Sequence, residues 1–191
     1  MITEADYEAY LDSLRERYPD FRVIAKAKSP LNQAIDKVLR LLTFGGQSTY
    51  LSHYVTTLGA RIYTPEDWER RPPKVRYSIM RHEAVHIAQF KRYGWLGMSL
   101  LYTLLPLPFG FAAGRAWLEW QAYRETIIAT WQIDGSDAAR SQVLREEIIK
   151  RFTGPDYGWM WLRAKTIEGA LDRLLKALEA DPPETLKRPH P

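Results

Sequence analysis

The sequence predicts an α+β fold, mostly helical, with a small β element placed before its chemically richest helix. Three observations carry that expectation. Apolar residues recur at three- and four-residue intervals over several segments, which is the helical period. One stretch, 49–64, is instead rich in Tyr, Thr and Val, the composition of strands. The chain has 191 residues, of which 46% are hydrophobic and 26% charged, with no internal repeat. That suits one domain with its own core.

The elements follow in order. Thr3 and Asp6 have the spacing of a capping box, and Tyr7, Leu11, Leu14 and Tyr18 then recur on one helical face. Ser29-Pro30 opens a second helix, with proline suited to the first helical position. Leu31, Ala34, Val38, Leu41 and Leu42 give that helix its apolar face, and Gly45-Gly46 ends it. Thr49–Thr57 and Ala60–Thr64 read as two short strands joined at Leu58-Gly59, a hairpin. Thr64-Pro65-Glu66-Asp67 starts a short helix, and Pro72-Pro73 precedes a longer one running from Lys74 to about Tyr93. A long helix is expected from Phe111 to Ile133, broken by Asp134-Gly135-Ser136. The next presents Leu144, Ile148 and Phe152 on one face, and a loop spans Gly154–Gly158. In the last helix, Ile167, Leu171, Leu174, Leu175 and Leu178 form a stripe that stops at Asp181-Pro182-Pro183. This gives a single domain over 1–191. Its core is 49–133, its helical extensions are 1–44 and 136–181, and 182–191 is a loose tail.

Composition removes several function classes. With no cysteine, a disulfide scaffold and a thiolate metal site are both impossible. The N-terminus, Met1-Ile2-Thr3-Glu4-Ala5-Asp6, has neither the basic nor the apolar region of a secretory signal. A cytoplasmic location is therefore expected. The net charge of +4 permits an acidic partner without requiring one. The basic run Arg70, Arg71, Lys74, Arg76 and Arg81 reads as a solvated helix face, and no nucleic acid is expected as partner.

The chemistry concentrates at His82-Glu83-Ala84-Val85-His86, an HExxH motif that uses two of the four histidines. Residues four apart lie on one helical face. Both imidazoles can therefore reach one Zn²⁺. Glu83, beside the first histidine, can act as general base toward a water whose pKa the metal lowers to about 7. A catalytic zinc needs a third protein ligand and an open position. Two downstream carboxylates compete for that role, Glu119 and Glu125. Arg115, Glu119 and Tyr123 share a face, which favours Glu119.

With these residues the chain resembles the zincin metallopeptidases, and within them the gluzincins. In that family a second helix carries an E-x-x-x-D signature whose glutamate binds zinc. The matching stretch here is Glu119-Trp120-Gln121-Ala122-Tyr123, with Tyr123 where the family often has aspartate. The position six beyond His86 is Arg92, so the third histidine of the metzincins is absent. The resemblance covers about 49–125 and is nearest to the small, single-domain minigluzincin type. It implies a zincin-like fold and a Zn²⁺ ion held by His82, His86 and Glu119. It also implies a catalytic Glu83. Tyr123, a departure from that pattern, reads either as a core aromatic or as a catalytic-site residue with a supporting or oxyanion role. The substrate would be a peptide or protein, held as an added strand on the edge of the small sheet. His53, in the first strand, reads as a half-buried histidine.

Tyr93–Gly114 contains no Asp, Glu, Lys or Arg. A single membrane crossing there would separate His86 from Glu119 and forbid a shared metal. A hairpin bent at Leu105-Pro106-Leu107-Pro108 keeps both. It can be buried, cover the site as a lid, or touch a membrane interface, with Trp95 and Trp117 at its ends. The last placement also defines the alternative function: a non-catalytic, membrane-peripheral binding module that docks through 93–114 on a membrane or protein partner.

Overall fold

The computed structural model describes residues 1–28, 55–103, 113–154 and 162–184. The helix expected over 29–44, His53, the Leu105–Pro108 bend, most of the loop after Gly154 and the end of the tail lie outside the described residues. The described chain is mostly helical with one small mixed sheet, the α+β class that the periodicities predict. It forms two compact units, Met1–Arg92 and Tyr93–Pro191.

The first unit opens with α1, Glu4–Arg17. The capping box is present in both directions. The Asp6 amide donates to Thr3 Oγ1, and the Asp6 carboxylate accepts from the Thr3 amide at 2.7 Å. The helix buries Tyr7, Leu11 and Leu14. Strand β1, Arg22–Ala25, follows and was not expected from the sequence. It is four residues long and its partner lies far along the chain, so no local pattern announces it.

Strands β2 (Thr56–Leu58) and β3 (Arg61–Thr64) form the expected hairpin, antiparallel with Leu58 opposite Arg61. The two-residue turn is Gly59-Ala60, one position later than the sequence suggests. Gly59 has φ 64, a left-handed value that glycine adopts without a Cβ clash. The sheet order is β1-β3-β2, with β1 parallel to β3. Ile62 on the central strand is fully buried.

A 3-10 turn at Trp68–Arg70 leads into α2, Pro73–Thr103. Proline at the first helical position needs no amide partner. The expected end near Tyr93 corresponds to a break at Gly94 (φ 64, ψ 178), after which helix resumes. That backbone region is essentially reserved for glycine.

Helix α1 is fastened to α2 and to the turn before it. The Tyr10 and Tyr77 rings lie 5.0 Å apart, and Trp68 Nε1 donates to the Tyr7 hydroxyl at 3.2 Å. Burial pushes the Tyr7 hydroxyl above its ordinary pKa, because the charged form would be desolvated. Arg76 is only 5% exposed. It stacks over the Tyr7 ring at 4.6 Å, pairs with Glu4 and Glu69, and donates to the Arg71 carbonyl at 3.1 Å. Arg71 holds Asp67 with two 3.0 Å hydrogen bonds, which keep that carboxyl below the usual aspartate range. Two members of the basic run therefore serve this junction. Their exposed carboxylate partners make the electrostatic part modest, so the buried Arg76 stem contributes mainly as packing.

The second unit is built from α3 (Ala113–Asp134), α4 (Ser136–Ala139), α5 (Gln142–Thr153) and α6 (Ala164–Ala180), together with the end of α2. Gly135 at φ 89 makes the expected break after Asp134. Ser141 caps α5 by accepting from the Leu144 amide. Ile127, Trp131, Ile148, Phe152, Ile167, Leu171, Leu174 and Leu178 form one buried cluster. The stripes read from the sequence therefore do face a core. Arg145 donates to Asp172 at 2.8 Å and links α5 to α6. The close guanidinium holds the Asp172 carboxyl below its ordinary pKa. Gly114 lets α3 come close to the end of α2, since a Cβ there would stand 2.7 Å from the Leu101 carbonyl oxygen. Among the described residues, no helix is long and apolar enough to cross a membrane.

Candidate metal centre

His82 and His86 sit one turn apart on α2, as the motif requires. Their ring centroids are 5.2 Å apart and their planes cross at 71°. Glu119 sits on α3 and is 1% exposed. One ligand atom from each of His82, His86 and Glu119 falls within 4.8 Å of the others, so the group can hold a metal ion. Glu125 is half-buried and does not belong to this group. Six residues from Glu119, it lies on another face of the same helix.

The chemistry of the donor set fits a divalent cation. Imidazole and carboxylate donors together suit several divalent metals. A carboxylate as buried as Glu119 calls for donors or positive charge around it. A divalent ion held here would supply positive charge beside it.

Two neighbours that the sequence reading did not single out shape the site. The first is Gln89, 4% exposed, whose Oε1 lies 2.9 Å from His86 Nδ1. In the tautomer that donates from Nδ1 to this amide oxygen, Nε2 keeps its lone pair for a metal. The second is Thr57, which donates from Oγ1 to Glu83 Oε2 at 2.6 Å. Thr57 pairs with Ile62 across the hairpin, so their side chains share a sheet face. The hydrogen bond to Glu83 turns that face at Thr57 toward α2. Glu83 is itself 8% exposed. Its carboxylate is held by a strand rather than left to rotate in solvent.

Tyr123 lies one turn beyond Glu119, and its ring packs edge-on against Phe152 at 5.5 Å within the core cluster of the second unit. Gln89 had a readable signal, an amide three residues beyond a ligand histidine on the same helix face. Thr57 had none, because its approach depends on how the strand meets the helix.

No family model, curated protein or solved structure matches this chain.

The Gln89 contact gives a test of its own. Gln89→Leu keeps the volume and removes the acceptor. Affinity for a divalent metal, read by competition with a chromophoric chelator, is expected to fall about 10- to 100-fold. Unchanged affinity would mean that Gln89 does not orient His86.

Proposed function

We propose that this protein is a zinc-dependent metallopeptidase of the gluzincin kind. The observation that carries the reading is the convergence of the His82, His86 and Glu119 ligand atoms beside a buried, strand-held Glu83. A pure metal-storage or structural site has no use for a carboxylate fixed next to its first histidine.

A zinc ion bound there supplies Lewis acidity, polarising a carbonyl and acidifying water. His82, His86 and Glu119 would hold it. Glu83 takes a proton from the attacking water and delivers it to the departing amine nitrogen. Thr57 keeps the Glu83 carboxylate in one orientation for both transfers. Gln89 keeps the His86 ring in the tautomer that binds. The substrate is a peptide or protein segment presented in extended form.

Metal analysis by inductively coupled plasma mass spectrometry tests the first step, and a quenched-fluorescent peptide library tests the second. Near-stoichiometric zinc is expected in the wild type, with cleavage that a chelator abolishes. His86→Ala is expected to lose both. Absence of zinc from protein incubated with Zn²⁺ at neutral pH would overturn the reading.

A further inference from the structure

Beyond its break at Gly94, α2 packs with one side and shows solvent the other. Met98 is 3% exposed, and Leu101 meets α3 at Gly114. On the other side, Trp95 is 62%, Leu96 84% and Leu100 52% exposed, with Ser99 between them. These four positions span an arc of about 140° on the helix. Trp117 on α3, 48% exposed, stands edge-on to Tyr93 at 5.9 Å, just before the break.

A helix on a protein surface normally turns charged and polar residues outward. Here the outward arc is apolar, and the sequence supplies no charge from Tyr93 to Gly114. The charges that bracket the run are all positive: Lys91 and Arg92 before it, Arg115 after it. Aromatic rings stand at both ends.

We propose that this face seats in the interfacial layer of an anionic lipid bilayer, lying in the plane of the membrane without crossing it. Tryptophan and tyrosine settle at headgroup depth, where one part of the ring is dry and the other wet. Leucines reach the acyl boundary, and flanking lysine and arginine meet anionic headgroups. A second copy of the chain is a poorer occupant. A two-fold contact would set the bracketing cations of each copy against the same cations of the other. A protein partner would call for a rim of matched donors and acceptors, and Ser99 is the polar side chain on the arc. The proposal does not depend on the hydrolytic reading.

The test is flotation of the full chain with vesicles of phosphatidylcholine alone or mixed with phosphatidylglycerol. Wild type is expected to float with the mixed vesicles, less with phosphatidylcholine, and less as salt rises. Leu96→Glu/Leu100→Glu is expected to lower the partition coefficient about tenfold or more. Both positions are exposed, so its thermal melt by circular dichroism should match wild type. Trp95→Ser, read the same way, guards against a local folding fault. Failure of the wild type to float at low salt would overturn the proposal, as would equal flotation of the double variant. A dimer in sedimentation velocity that Leu96→Glu dissolves would also overturn it and give the face to a second copy.

Discussion

Glu83→Gln is expected to keep zinc and lose hydrolysis. The substitution preserves shape, and the glutamine Oε1 can still accept from Thr57 Oγ1, whose present bond is 2.6 Å. It also removes a charge from a side chain that is 8% exposed, so the fold should not suffer. What disappears is the proton acceptor. Loss of a positioned general base lowers kcat by about 10²- to 10⁴-fold. Because His82, His86 and Glu119 are untouched, zinc content should stay at the wild-type level. Single-turnover kinetics beside metal analysis reads both quantities in one preparation. Thr57→Val should fall between wild type and Glu83→Gln, because it removes one hydrogen bond from the carboxylate without removing the carboxylate itself. A Glu83→Gln protein with wild-type turnover would end the hydrolytic assignment while leaving the metal site intact.

Trp68→Ala is expected to be the most damaging change away from the metal. Trp68 is 2% exposed, donates from Nε1 to Tyr7, and carries the Arg71 guanidinium 5.6 Å above its ring. Deleting a buried indole costs about 3–5 kcal/mol. Domain stabilities run to about 5–15 kcal/mol, so the variant forfeits a large share of its margin. Trp68→Phe retains most of the apolar surface and loses the N–H donor, at a cost nearer 1 kcal/mol for the hydrogen bond itself. Urea titration in the presence of a chelator measures both without stabilisation by bound metal. A loss below about 1 kcal/mol for Trp68→Ala would show that this ring does not anchor α1.

Much of this arrangement is legible in the sequence where it depends on local spacing. The Thr3–Asp6 box, the strand pair around Gly59, the last helix and the shared face of His82 and His86 all follow from residues a few positions apart. Glu119 is legible by a weaker argument, since helix periodicity separates it from Glu125 without saying which faces the histidines. Strand β1 escapes because parallel pairing of Arg22 with Arg61 leaves no short-range trace. The resumption of helix after Gly94 escapes because a glycine in an apolar run reads as an ending. Thr57 shows the limit most clearly: a threonine in a strand is ordinary, and only packing against α2 makes it a neighbour of Glu83.

The junction of α1 with Trp68 and Arg76 also bears on the order in which the chain folds. Its contacts close loops of 61 and 72 residues, whereas the Arg145–Asp172 link joins residues only 27 apart. Long closures are slow, because chain entropy is lost before any contact repays it. As the nascent chain emerges, α1 comes first but must wait for Trp68 and Arg76 before it can dock. The four helices after Ala113 need no such wait. In the growing chain α1 therefore stays undocked until Trp68 and Arg76 have been made, and until then Tyr7, Leu11 and Leu14 lack the surface that buries them.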